Sequence, residues 1–341
     1  MRRDETTEQH PPAVKFSTKD LHGVLLPFTT PFDEETEVDT LGLCLNLQKW
    51  NQRGLAGYVA LGSTGERVHL NEREYLRLIE CAREAVPRDS AFIVGAGQQS
   101  TRASIDEIQK AAAAGADAVL VITPHYYRSA ITQTALIEHY NTVADAAPVP
   151  VILYSMPALT GIKIEPETVA RLSEHPNIIG VKDSSADIEG LKRTVELVHG
   201  VSAGRPDVEH DLVTDSARRD DFAVLTGNGT VLYEALRAGG DGAVLAVGCV
   251  APQLCVEIFR AFRSGEHERA AFLQEKLTPL AHAVTTKYGI GGLKAALDMA
   301  GYVGGAVRAP LRSPGEEARR EIALVLEDAH SALAGYSVEA A

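Results

Sequence analysis

The 341-residue chain has no uninterrupted run of eighteen apolar residues, so no membrane-spanning helix is expected. It is short of positive charge. Its 33 Lys and Arg face 46 Asp and Glu, a formal net charge of −13 that argues against nucleic acid and anionic membrane surfaces as partners. A local cluster of donors overrides such a field at short range, so an anionic small substrate stays open. Cysteine is scarce: Cys44, Cys81, Cys249 and Cys255 stand apart in apolar segments with no CxxC spacing. Four reduced, buried thiols in a cytoplasmic protein are the expectation. The eleven histidines form no HExxH or other metal spacing; Glu66, Arg67 and His69 read as a solvated loop, and no metal is expected. The glycine pairs Gly95-Ala96-Gly97 and Gly227-Asn228-Gly229 are not GxGxxG, and Gly62-Ser63-Thr64-Gly65-Glu66 is not GxSxG. A dinucleotide site and a serine nucleophile are thereby disfavoured. The start, MRRDETTEQHPP, lacks the apolar segment of a secretory signal, and its acids disfavour an organelle transit peptide. Residues 1–20 read as a polar, loosely ordered extension.

What is present is a 45% apolar composition and a regular alternation. Eight short runs read as strands: Gly23–Pro27, Gly57–Leu61, Ala91–Gly95, Ala118–Ile122, Pro150–Tyr154, Ile178–Lys182, Phe222–Thr226 and Gly242–Val247. They are nearly continuous in apolar residues, as parallel strands covered on both faces are. Helical patterns lie between them: Thr40–Gln52, Asn71–Val86, Ser104–Ala114, Thr132–Ala146, Pro166–Ser173, Ile188–Val198 and Thr230–Ala238. Asn71 with Glu74 reads as a capping box. Eight such units predict an α/β fold, a closed (β/α)8 TIM barrel spanning residues 21–251. Helices at Pro252–Arg263, His267–Val284, Leu293–Ala300 and Glu316–Ala334 predict a helical C-terminal region over 252–341. The polar stretch from Gly200 to Asp221 is too long for an ordinary connection and reads as a surface insertion.

Catalytic groups of such barrels sit at the C-terminal ends of the strands. The stretch Asn177-Ile178-Ile179-Gly180-Val181-Lys182-Asp183 raises the sharpest question there, because a buried apolar strand ends in a lysine. Desolvation favours a neutral amine, which attacks carbonyls and forms a Schiff base. The competing reading is a structural lysine paired with a neighbouring carboxylate. Lys15, Lys19, Lys49, Lys110, Lys163, Lys192, Lys276, Lys287 and Lys294 lie in polar or amphipathic contexts. Imine formation also needs a proton shuttle. Tyr154 and Tyr126 end or follow adjacent strands, and the Ser63 hydroxyl is placed to bridge them; either tyrosine is otherwise an ordinary core residue. The Gly62–Glu66 turn offers successive backbone N–H groups suited to a carboxylate, or is a plain loop.

Taken together, Gly62-Ser63-Thr64-Gly65-Glu66, Thr123-Pro124-His125-Tyr126-Tyr127, Tyr154-Ser155-Met156-Pro157-Ala158-Leu159-Thr160-Gly161 and Gly180-Val181-Lys182-Asp183 resemble the dihydrodipicolinate synthase / N-acetylneuraminate lyase superfamily of class I, pyruvate-dependent aldolases. The resemblance spans about Leu21 to Leu333. It implies that Lys182 is the Schiff-base lysine, Tyr154 the proton shuttle, Ser63 the relay hydroxyl, and Tyr126 the tyrosine that reaches a neighbouring subunit's site. It implies that Ser63 and Thr64 grip the pyruvyl carboxylate and that Val244 lines the pocket with its backbone. Gly227 and Asn228 stand where sialic acid lyases carry acids for sugar hydroxyls, and Leu159 stands where the synthase carries an arginine for its aldehyde substrate's carboxylate. The likeness is greatest to the 4-hydroxy-2-oxoglutarate aldolases, through Leu153-Tyr154-Ser155, Val181-Lys182-Asp183-Ser184 and the tail Gly289–Leu311, with Ser184 near the substrate's 4-hydroxyl. Two features depart from that pattern: Thr64 replaces an asparagine, and the Gly200–Asp221 insertion is foreign. The resemblance implies cleavage of a 4-hydroxy-2-oxo acid, such as 4-hydroxy-2-oxoglutarate, to pyruvate and an aldehyde such as glyoxylate. No cofactor is needed, because the protonated imine is the electron sink, and a homotetramer built from dimers is implied. The alternatives are a dehydratase or synthase acting on a sugar-derived 2-oxo acid, dihydrodipicolinate synthase itself, and a non-catalytic barrel that binds an oxo acid.

Overall fold

The computed structural model describes residues 16–200 and 221–339. Residues 1–15 of the expected extension and 201–220 of the expected insertion lie outside them. Among the described residues eight parallel strands close into one barrel in sequence order: β1 (Val24–Pro27), β2 (Gly57–Ala60), β3 (Ala91–Ala96), β4 (Ala118–Ile122), β5 (Val151–Ser155), β6 (Ile178–Asp183), β7 (Ala223–Thr226) and β8 (Gly242–Val244). The chain is a (β/α)8 barrel. The surrounding helices are α1 (Thr40–Trp50), α2 (Glu72–Ala85), α3 (Thr101–Ala113), α4 (Gln133–Ala146), the single turn α5 (Pro157–Thr160), α6 (Pro166–Leu172), α7 (Ile188–His199) and α8 (Leu232–Arg237). After β8 comes α9 (Pro252–Arg263), which packs against α8 and β1 and completes the barrel wall, so the barrel runs past the expected limit at residue 251; α10 (His267–Ala281), α11 (Gly289–Met299) and α12 (Glu316–Glu339) follow. None of the described helices is long and apolar enough to cross a membrane.

The continuous apolar strands are explained by two cores. Leu25, Val59, Ile93, Leu120, Ile152, Leu225 and Val244 point inward and fill the barrel, while Leu26, Tyr58, Phe92, Val119, Leu153, Val181 and Val224 point outward under the helices. Both faces of each strand are therefore buried, as covered parallel sheets require. The expected capping box starts α2: Asn71 Oδ1 accepts from Glu74 N at 3.0 Å, and Glu74 Oε2 accepts from Asn71 N at 2.9 Å.

Five local expectations change. Phe16 to Asp20 are not part of a loose extension: Thr18–Leu21 form a 3-10 turn, and Phe16 and Leu21 pack against the barrel interior. β8 stops at Val244, because the chain turns into a 3-10 segment at Ala246–Cys249, closed by a Gly248 N to Leu245 O bond of 3.0 Å. The helix expected over 230–238 opens as a 3-10 turn, Gly229–Val231, before α8. α10 ends at Ala281 and widens into a π turn at His282–Lys287; Pro279, inside α10, has no N–H to continue the ladder. Cys249 and Cys255 are buried as expected, but Cys44 on α1 and Cys81 on α2 are only half-buried, with their sulfurs 3.2 Å apart as free thiols. Burial, with Cys44 alongside, pushes the Cys81 thiol up to about 12.

The segment after α11 folds back over the C-terminal mouth of the barrel. Val303 exchanges two 2.8 Å hydrogen bonds with the Asn46 side chain, and Ala306 N donates to Phe32 O at 2.9 Å. Arg308 donates to His69 O and Thr36 O and pairs with Glu74. The C-terminal region is thus joined to the loops that follow β1 and β2.

Candidate active site

A one-residue irregularity decides where Lys182 points. In the β5–β6 ladder Val151 pairs with Ile178, yet the next residue, Ile152, pairs with Gly180, so Ile179 is extra. Side chains alternate along a strand, and a single inserted residue exchanges its faces. Ile178 belongs to the outer core. Without the bulge Lys182 shares that parity and faces the helices; with it, Lys182 pairs with Tyr154 and faces the interior cluster that contains Tyr154.

Lys182 is 3% exposed, and its Nζ lies 4.2 Å from the centre of the Tyr154 ring. Among the described residues no carboxylate pairs with it, which removes the structural ion-pair reading. The neighbouring Asp183 faces elsewhere: its Oδ1 accepts from Ser185 N at 2.6 Å, and burial raises its carboxyl above the usual range. The Tyr154 hydroxyl meets Ser63 Oγ at 2.8 Å, joining the ends of β5 and β2. A lysine, a phenol and a serine hydroxyl therefore form a continuous file at the barrel mouth.

The turn after β2 supplies the next element. Gly65 N donates to Gly62 O at 3.1 Å and Glu66 N to Ser63 O at 3.2 Å, which bends the chain back. Among the described residues the N–H groups of Ser63 and Thr64 have no acceptor, so two adjacent donors stand open beside the Ser63 hydroxyl. Thr64 is 6% exposed. Open adjacent amides are a carboxylate cradle. Gly65 is needed there, since a Cβ would stand 2.7 Å from Leu61 N.

On the far side, Gly227 N donates to Asp183 O at 2.6 Å, bringing the end of β7 against β6. A Cβ at Gly227 would lie 1.9 Å from Ser184 Oγ and 2.8 Å from Lys182 Cε. Gly227 and Ser184 thus flank the lysine stem. Val244 lies in the same interior cluster as Tyr154. Asn228 is committed to a local cap: its Oδ1 accepts from Thr230 N at 3.0 Å and from Thr230 Oγ1 at 2.8 Å. Tyr126 is not joined to this group within one chain. It is 74% exposed and packs edge-on against Tyr127 at 5.1 Å, so the bridge from Ser63 to Tyr126 is absent here.

One expectation for this region is overturned. Glu66 is not on a solvated loop. It is 2% exposed, with Oε1 2.6 Å from Lys294 Nζ and Oε2 3.1 Å from His69 Nδ1. Lys294, read from sequence as amphipathic, is 1% exposed on α11. Sequence reasoning missed this pair because its members are far apart in the chain and only the folded-back C-terminal segment brings them together. Arg67 pairs with Glu107. Among the described residues no group of three or more His, Cys, Asp or Glu is arranged to hold a metal ion.

The sequence profile of the Dihydrodipicolinate synthetase family matches residues 20–329, most of the chain. The chain belongs to the dihydrodipicolinate synthetase family. It is 32% identical over 304 residues to the 4-hydroxy-tetrahydrodipicolinate synthase of Methanothrix thermoacetophila, covering 89% of this chain and 95% of that one. It is 33% identical over 314 residues to the synthase of Hyphomonas neptunium, covering 92% and 98%. Among solved structures, dihydrodipicolinate synthase from Thermotoga maritima superposes with a TM-score of 0.82 at 31% identity, covering 91% of this chain and 99% of that one. A prophage protein of E. coli K12 belonging to the dihydrodipicolinic acid synthase family, solved in complex with pyruvate, superposes with a TM-score of 0.80 at 29% identity, covering 91% and 98%. As a member of this family the chain is an enzyme of the pyruvate-dependent lyase class.

Proposed function

We propose that Lys182 forms an imine with pyruvate or the pyruvyl end of a longer 2-oxo acid, and that the enzyme makes or breaks a carbon–carbon bond through the resulting enamine. The observation that carries this reading is the buried, acid-free Lys182 amine facing the Tyr154–Ser63 hydroxyl pair. The carboxylate of the oxo acid rests on the Ser63 and Thr64 amides. The neutral amine adds to the C2 carbonyl. Tyr154 gives its proton to the departing hydroxyl, which leaves as water. Cleavage then runs from the 4-hydroxyl: Tyr154, now a phenolate, takes the hydroxyl proton, the C3–C4 bond breaks, and the electron pair moves through C3 to the iminium nitrogen. An aldehyde leaves, Tyr154 protonates the enamine at C3, and hydrolysis frees pyruvate and the lysine. Ser63 holds the phenol in position and passes protons.

For the second substrate we favour the aldehyde of a 4-hydroxy-2-oxo acid, such as glyoxylate. Leu159, at the turn where a carboxylate-binding arginine is expected of the synthase, is apolar and 59% exposed, and Ser184 Oγ stands beside the lysine stem. A second reading, condensation to 4-hydroxy-tetrahydrodipicolinate, is favoured by the names of the curated relatives. The two run the same imine chemistry in opposite directions. Assays of pyruvate release from a panel of 4-hydroxy-2-oxo acids, run beside pyruvate-plus-aldehyde condensation, separate them. Release from 4-hydroxy-2-oxoglutarate supports cleavage; condensation alone overturns it. The exposure of Tyr126 supports a homo-oligomer, a homotetramer built from dimers, in which Tyr126 completes the relay of a neighbouring subunit.

A further inference from the structure

The Glu66–Lys294 pair is not used by the chemistry above, yet it ends the turn that holds the open amides. Glu66 closes that turn in a left-handed conformation, φ 55°, which an ordinary side chain adopts only when its surroundings enforce it. Its carboxylate lies 2.6 Å from Lys294 Nζ, with both side chains almost wholly enclosed. Lys294 is itself held from three sides. Its Nζ donates to Ala306 O at 2.6 Å and lies 4.3 Å from the Phe32 ring centre, with the Arg308 guanidinium 4.2 Å from that same ring. Burial pulls the Lys294 ammonium below the usual lysine range, and Glu66 opposes that pull. His69 Nδ1 takes the other Glu66 oxygen, and Thr30 Oγ1 donates to Gly65 O at 2.7 Å.

A buried ion pair is a poor source of stability, because desolvating two charges offsets most of their attraction; apolar residues of like volume fold as well or better. What such a pair does supply is a fixed direction. Here the fixed point is a loop between β2 and α2, and the anchor is α11, more than 220 residues away in sequence. We infer that Glu66 and Lys294 are positioning residues: their buried contact ties the Ser63–Glu66 turn to the folded-back C-terminal segment and thereby aims the Ser63 and Thr64 amides at the carboxylate of the 2-oxo acid. This rests on the imine reading above and deepens it, since it makes recognition of the carboxylate, rather than of the ketone, depend on the C-terminal region.

The test compares two carbonyl compounds that differ only at that end, pyruvate and pyruvamide, each trapped on the protein by borohydride and quantified by mass spectrometry. The variants are Glu66→Gln, Lys294→Met and the two combined. The single variants leave one buried charge unpaired and are expected to lose thermal stability; the double variant removes both charges and is expected to regain it. The half-saturating pyruvate concentration is expected to rise roughly tenfold in all three, with little change for pyruvamide. A merely structural pair predicts otherwise: stability and pyruvate saturation recover together in the double variant, or the two compounds shift alike. Either result overturns the inference. Should the single variants not fold, the double variant and Glu66→Asp carry the comparison. No wild-type adduct on Lys182 would instead sink the imine reading, and the positioning role with it.

Discussion

Lys182 and Tyr154 face each other across β5 and β6 because Ile179 is an extra residue in the ladder between them. The bulge turns a lysine that would lie under the helices into one whose Nζ stands 4.2 Å from the phenol ring. Bulges recur beside active sites, where they re-aim a side chain. Deleting Ile179 keeps Lys182 opposite Tyr154, whereas an alanine inserted between Val181 and Lys182 moves the lysine one position along the strand and turns it to the outer face. The expected outcome of the insertion is loss of any imine adduct, and an insertion variant that keeps full adduct formation would remove the strand register from the account.

Tyr154→Phe keeps the ring against Lys182 and removes the hydroxyl that meets Ser63 at 2.8 Å. General acid–base groups contribute on the order of 10²–10⁴ in rate. A fall of that size in imine formation is expected, with a smaller one for Ser63→Ala, because Ser63 acts through Tyr154. Rapid-quench borohydride trapping measures both. A Tyr154→Phe rate equal to wild type contradicts the shuttle.

Gly227→Ala places a methyl group 2.8 Å from Lys182 Cε and 1.9 Å from Ser184 Oγ. The lysine stem must move, and displacements near 1 Å cost on the order of 10²-fold in rate. Turnover is expected to fall by about that factor while the far-ultraviolet circular dichroism stays that of the wild type. Gly200, which has nothing among the described residues within 4 Å of its added Cβ, serves as the control through Gly200→Asn, a residue that tolerates its left-handed backbone.

His139, enclosed on α4, is pulled down to about 4 by burial. The unfolded chain binds this proton near 6.5, so between those values the unfolded state holds more protons and stability falls as the pH falls. The loss over that window is on the order of 3 kcal/mol if His139 alone is responsible. Thermal unfolding of His139→Gln is expected to show a flatter acid limb between pH 6.5 and 4. An unchanged limb assigns the acid sensitivity to other groups.

The fold was legible because it is written locally. Eight apolar runs separated by helical periods, with Asn71 and Glu74 as a cap, are enough to place every strand to within a few residues. Where the reading slipped, at the end of β8 and in the π turn after α10, the difference lies in local backbone hydrogen bonds: Gly248 N to Leu245 O closes the 3-10 segment, and Tyr288 N reaches back five residues to Ala283 O. The burial of Lys182 at the end of β6 was also legible, since a lysine closing an apolar strand is a local anomaly. The inward turn of Lys182 was not, because an extra residue in Ile178-Ile179-Gly180 looks like any other apolar residue until the partner strand fixes the register. Nor was the Glu66–Lys294 contact, which exists only through the packing of the C-terminal segment over β1 and β2.

The central claim is that Lys182, of all the lysines, carries the substrate. Pyruvate with borohydride, followed by peptide mass spectrometry, tests it most directly. The account predicts one reduced pyruvyl adduct, on the peptide that contains Lys182, and none in Lys182→Ala. An adduct placed instead on Lys294 or on an exposed lysine, or no adduct at all, would contradict it.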